Sequence, residues 1–268
     1  MPKVLVSGRG GSGKSTLVSL LALRLSESAP VLVVDADESN LDLPSMLGLP
    51  EPSLTLMDWL GGKPAVREKL MALLRGTGGE DLTLFGKGLR PGDIPEACRS
   101  GRDDLHLVRV GKIEHSMEGC ACPMGAVARA FLVALGTEPG DWVLVDTEAG
   151  IEHFGRGVLE GVDRVLLVVD PSREAVVLAE KASRLCLEAG KPYLVVANKS
   201  DQAFGARLHD LLVEKGLNPA SVIGYLPSIS RANLEGMPLS TSGVEEQLSE
   251  VIAALEVSDE VAASSADS

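Results

Sequence analysis

The sequence has 268 residues, 45% of them hydrophobic and 24% charged, enough for a sizeable core in one large α/β domain or two small ones. Acidic residues number 38 against 25 basic ones, a formal net charge of −13 spread along the chain, which disfavours a nucleic-acid or anionic-membrane partner. No apolar run approaches the roughly 20 residues of a membrane span and no stretch reads as a leader. Four cysteines are too few for a disulfide scaffold, so a reducing cytoplasm with free thiols is expected.

The first predicted strand is KVLVSG, residues 3–8, followed by GRGGSGKST at 8–16 and a helical pattern over 15–28. This is G-x-x-x-x-G-K-[ST] in the setting its mechanism requires, between a strand and a helix. Its glycines let backbone N–H groups curl around phosphate oxygens at the helix N-terminus. The expected nucleotide-binding residues are Gly8, Arg9, Gly10, Gly11, Ser12, Gly13, Lys14, Ser15 and Thr16. Lys14 reaches toward the β- and γ-phosphates, and Ser15 offers its hydroxyl to Mg²⁺.

VLVVDAD at 31–37 reads as the second strand and ends in two carboxylates, Asp35 and Asp37. Residues 61–104 break the rhythm; rich in Gly, Pro and charge, they predict a helical insertion with mobile loops. A strand at 105–111 then leads to EGCACP at 118–123 and a helical pattern over 123–136. Pro123 suits a first helical turn, which puts Cys122 at or near the N-cap, where the helix dipole lowers a thiol pKa. Cys120, two residues earlier on a turn led by Gly119, can converge with it. Two sulfurs are half of a tetrahedral soft-metal site, and a twofold dimer setting CxC against CxC supplies all four. A lone CxC also reads as an unliganded pair. Cys98 in the insertion, Cys186 on a helix and His115 read as bystanders.

Further strands are predicted at 142–148, 162–170, 192–199 and 221–227, with a helix over 172–190. The strands are nearly continuous in apolar residues and alternate with helices, which predicts a doubly wound, mainly parallel α/β sheet. One domain is expected over 1–255, followed by an acidic, small-residue tail at 256–268 that reads as disordered.

Arg9 inside the glycine loop gives x-R-G-G-x-G-K-[ST], which resembles the deviant Walker A motif of the MinD/ParA-like ATPases, with arginine where the family has lysine. The resemblance implies ATP as nucleotide and a homodimer in which Arg9 touches phosphates bound by the other subunit. It also implies that Asp37 orients the attacking water near Mg²⁺, that Asp146 of VLVDTEAG holds the Mg²⁺ water shell, and that Gly150 senses the γ-phosphate. ANKSD at 197–201 resembles an N-K-x-D base-recognition turn, with Asn198 and Lys199 beside adenine, and Leu226 and Pro227 of YLP bracket the base. The segment GCACP together with DTEAGIEHFGRG at 146–157, which includes the switch II residues Gly150 and Glu152, is similar to the CooC-type ATPases. That likeness implies Ni²⁺, or Zn²⁺ as competitor, on Cys120 and Cys122 at the dimer interface. The implied client is a nickel enzyme of the carbon monoxide dehydrogenase or acetyl-CoA synthase class. Two other readings stay open at this point: a MinD/ParA-like regulatory switch, and an iron–sulfur reductase or carrier of the nitrogenase iron protein type.

Overall fold

A computed structural model describes residues 2–75, 83–112, 122–155, 157–200 and 204–265. The chain opens with β1 (Lys3–Gly8), α1 (Lys14–Leu25), β2 (Val31–Ala36), α2 (Leu43–Leu47), α3 (Leu56–Trp59) and α4 (Gly62–Leu74). It continues with β3 (Arg99–Arg102), β4 (Leu105–Arg109), α5 (Cys122–Ala134), β5 (Trp142–Thr147), α6 (Glu152–Gly155) and β6 (Arg164–Val169). The last elements are α7 (Arg173–Glu188), β7 (Tyr193–Ala197), α8 (Gly205–Glu214), β8 (Pro219–Val222), α9 (Pro227–Glu235) and α10 (Glu245–Ser265).

The described strands form one eight-stranded sheet in the order β3-β4-β2-β5-β1-β6-β7-β8. Every neighbouring pair runs parallel except β3 against β4. Because side chains alternate along a strand, each strand feeds two cores. Leu5, Val34, Val145 and Leu167 pack toward α3, α4, α5, α7 and α8. Val6, Val33, Leu144 and Leu166 pack toward α1, α2 and α10. Each fully buried Val or Leu contributes about 1.5–3 kcal/mol relative to exposure, which is why these strands read as unbroken apolar runs. β1 lies between β5 and β6, where the strand order reverses, and ligands of such sheets bind outside the carboxyl ends of the strands at that crevice.

Within residues 61–104, α4 is helical, and Val66, Leu84, Phe85, Ile94 and Cys98 are buried in the first core. Phe85 sits between Trp59 and Phe131, with ring centroids 5.4 and 5.5 Å away. The end of this stretch, Arg99–Arg102, is the antiparallel edge strand, which the polar sequence RSGR concealed. The strand expected at 221–227 is Pro219–Val222; Leu226 is instead the N-cap of α9, with Pro227 in its first turn, where a missing N–H costs nothing. The last helix, α10, extends to Ser265.

Candidate nucleotide-binding site

β1 delivers the glycine loop to α1, whose N-cap is Gly13 in the left-handed conformation at φ 95°. A Cβ on Gly13 would collide with the Asn198 amide, and one on Gly8 would strike the Val168 carbonyl, so both positions require glycine. Lys14 is only 6% exposed and its Nζ donates to the Arg9 carbonyl at 3.4 Å. Burial lowers the Lys14 pKa, while Asp146 and Asp37 nearby oppose that shift.

Ser15, Asn40 and Asp146 form a polar chain. The Asn40 amide donates to Ser15 Oγ and to Asp146 Oδ2, each at 3.0 Å. Burial, with Asp35 adding, pushes the Asp146 carboxyl up to about 7, while Ser15, Asn40 and Lys14 pull it down. Its other oxygen, Oδ1, is buried with no hydrogen-bond partner among the described residues. A buried carboxylate with a spare oxygen beside a P-loop hydroxyl is the hard-oxygen donor set that suits a hydrated Mg²⁺, so these residues fit that cation.

The loop after β2 carries Asp37, whose Oδ1 accepts from the Ser39 N–H at 2.9 Å and the Ser39 hydroxyl at 2.7 Å. Its backbone N–H donates to Asp35 Oδ1 at 3.2 Å. Beneath this loop lies Lys112, just beyond β4. Its Nζ donates to the carbonyls of Asp37 and Asn40 at 2.5 Å each and stands 2.6 Å from Asp35 Oδ2. Asp35 is fully buried; burial pushes it up to about 6, against the pull of Lys112 and then Arg109. The Arg109 guanidinium, 3.5 Å from Asp35, also pairs with Glu51.

The loop after β5 is tied to the glycine loop. The Gly150 N–H donates to the Gly8 carbonyl at 3.1 Å, and the Ser7 hydroxyl donates to the Gly150 carbonyl at 3.2 Å. Glu152 folds back so that its Oε2 accepts from the Ile151 N–H at 3.0 Å. On the other flank Arg9 lies across Asp170, with Nη2 to Oδ2 at 2.6 Å, and Glu174 is 3.6 Å from Nη1. Burial would raise the Asp170 pKa, but hydrogen bonds from Arg9 and Ser172 outweigh it and hold the carboxyl below its usual range.

On the base side, the Asn198 amide donates to the Ser12 carbonyl and Lys199 Nζ to the Gly11 carbonyl, both at 2.8 Å. Asn198, expected beside adenine, thus commits its nitrogen to the glycine loop. A cleft of about 70 Å³ opens next to it, lined among others by Thr16, Tyr225, Leu226 and Asn233. The Asn233 Oδ1 is buried with no hydrogen-bond partner. Cys120, His115 and Asp201 lie outside the described residues. Cys122 opens α5, and its side chain is likewise outside them. Among the described residues no three or more His, Cys, Asp or Glu gather as a metal site. Cys98 and Cys186 are buried free thiols. Sequence reasoning missed Asn40, Lys112, Asp170 and Asn233, each a single polar residue with no motif around it.

A glycine loop between β1 and α1, strand-end carboxylates beside its hydroxyl and an adjoining base cleft define a P-loop nucleotide-binding protein. The chain belongs to the family of the CobQ/CobB/MinD/ParA nucleotide binding domain, whose model matches residues 3–239. It is 36% identical over 258 residues to an uncharacterized ATP-binding protein of Methanocaldococcus jannaschii, covering 95% of this chain and 98% of the relative. It is 34% identical over 199 residues to the carbon monoxide dehydrogenase accessory protein CooC of Rhodospirillum rubrum, covering 74% of each. The fold matches the cell division ATPase MinD of Pyrococcus furiosus with a TM-score of 0.64 at 21% identity, covering 95% of this chain and 100% of that one. Among the described residues no helix is long and apolar enough to cross a membrane.

Proposed function

We propose that this protein is a cytoplasmic ATPase that works as a homodimer and helps insert nickel into an enzyme of the carbon monoxide dehydrogenase or acetyl-CoA synthase class. The observation that carries the reading is the 34% identity to a carbon monoxide dehydrogenase accessory protein, in a chain that also has the CxC pair. Nucleic acid and membrane are not among the partners, in keeping with the net charge of −13.

In this reading Lys14 neutralises the β- and γ-phosphates, Ser15 would offer its hydroxyl to Mg²⁺, Asp146 would hold the ion's water shell, and Asp37, near Mg²⁺, orients the attacking water. Mg²⁺, when bound, offsets the negative charge that develops on the transferred phosphoryl group. Arg9 exchanges Asp170 for phosphates held by the partner subunit, and Gly150 moves its loop with the γ-phosphate. Cys120 and Cys122 of two chains bind Ni²⁺ as cargo, with Zn²⁺ as a competitor. ATP-driven closure brings the pairs into register, and hydrolysis separates them.

The test is metal stoichiometry combined with light scattering on anaerobic protein, with and without ATP or ADP. One Ni²⁺ per two chains, lost in the Cys120→Ala/Cys122→Ala variant with ATP affinity intact, supports the reading. ATP-driven dimerisation without metal leaves a MinD-like switch instead, and a brown chromophore points to an iron–sulfur carrier. Lys14→Ala should lower turnover about 100- to 1,000-fold by removing a charge that meets the transition state; retained turnover overturns the P-loop assignment.

A further inference from the structure

Lys112 has no part in the motifs, yet its ammonium faces three oxygens. Two are backbone carbonyls, of Asp37 and Asn40 at 2.5 Å, and the third is Asp35 Oδ2 at 2.6 Å. Its side chain is 5% exposed. An ammonium is a compact head with three N–H donors; here two of them serve the carbonyls while its charge pairs with Asp35. The other ionised groups acting on it are Arg109, which is itself paired to Glu51, and the Asp37 carboxylate.

A lysine that merely neutralised Asp35 would have no use for the two carbonyls. Both belong to the short loop after β2, and both residues face the phosphate end. The Asn40 amide spans Ser15 Oγ and Asp146 Oδ2, and the Asp37 carboxylate is steered by the Ser39 turn of the same loop. A shift of the ammonium is therefore passed through one residue, Asn40, to the two groups that fit Mg²⁺, and through Asp37 to the carboxylate aimed at water.

We propose that Lys112 is a positioning residue of the hydrolytic site, holding Asp37 and Asn40 in place through their main-chain carbonyls. This rests on the ATPase reading above. Lys112 touches neither nucleotide nor metal; it fixes the groups that do.

The experiment compares the full-length wild type with Lys112→Met and with Asp35→Asn/Lys112→Met, measuring steady-state ATP hydrolysis, ADP affinity, thermal melting and Mg²⁺ half-saturation of ADP binding. Lys112→Met leaves buried Asp35 with only the more distant Arg109, which is shared with Glu51, and is expected to melt early, whereas the double variant removes both members of the pair and recovers most of the melting temperature. If Lys112 positions the loop, the double variant still turns over about 100-fold more slowly, with the KM for ATP and ADP affinity unchanged. Its Mg²⁺ half-saturation rises about tenfold, as when a supporting contact to metal ligands is lost. Turnover that returns with the melting temperature overturns the proposal. A wild type that binds Mg·ADP without hydrolysing ATP defeats the ATPase reading alone; the Mg²⁺ half-saturation then decides, and an unchanged value overturns the role of Lys112.

Discussion

Two cations at the carboxyl edge of the sheet are held in opposite ways. On the β6 side Arg9 lies across Asp170 with its side chain 32% exposed, reaching also toward Glu174, which is 75% exposed. On the β2–β4 side Lys112 is 5% exposed and Asp35 not at all. Water can replace Asp170 as the partner of the part-exposed Arg9, and Asp170, itself only 10% exposed, keeps the Ser172 hydroxyl when Arg9 leaves, so this pair can open and close. Breaking the second strands a charge in the core, so it is fixed. The residue proposed to cross to another subunit is on the weak tether, and the residue beneath the loop after β2 is on the strong one. Placement in the fold, more than charge type, separates a moving part from a fixed one.

Several measurements sharpen or break this contrast. The largest effect is expected from Arg9→Ala: turnover falls about 1,000-fold if the guanidinium acts on phosphates across the dimer, while chemical denaturation is little changed. Undiminished turnover would remove Arg9 from the chemistry. Next comes Lys112→Met, with an unfolding cost of about 3–5 kcal/mol in urea titration; a loss below about 1 kcal/mol would place Lys112 in the same class as Arg9. Asp170→Ala should change stability by less than about 1 kcal/mol and, by freeing Arg9, tighten ATP-dependent self-association in sedimentation. Weakened association would mean that Asp170 organises the interface instead of restraining it.

The smallest effect is a pH dependence. The folded pKa of Asp170 lies below its unfolded value. Its contribution is therefore complete above the unfolded pKa of about 3.9 and fades as pH falls through the folded one. Between about pH 4 and 7, wild type and Asp170→Ala should differ by a constant increment of stability that shrinks only in stronger acid. An increment that grows toward acid would reverse the sign and break the assignment.

Much of this was legible in the sequence because it is written in local pattern. β1, β2, β5, β6 and β7 are apolar runs with turn residues after them, and the glycine loop is a contiguous motif in its proper setting. The edge strand Arg99–Arg102 was not legible, because one flank is open and its residues RSGR need no apolar alternation. The core contribution of residues 61–104 was not legible, since their buried residues, such as Val66, Phe85 and Ile94, are isolated among Gly, Pro and charge. Lys112 after a buried strand and Asn40 in an acidic loop carry no motif of their own. What gives them a role is that β2 is flanked by β4 and β5, which brings positions 40, 112 and 146 together from far apart in the chain.

The fastening of the glycine loop by Asn198 and Lys199 has a consequence of its own. These residues follow β7 and border the base cleft, yet their side chains grip the carbonyls of Ser12 and Gly11. Base pocket and phosphate cradle are thus a single lever, with Lys199 at φ 56° as its stiff joint. A purine that seats badly in the cleft disturbs the loop that meets its own phosphates. If the proposed ATPase reading holds, discrimination between nucleotides would be registered in the rate of turnover as well as in the strength of binding.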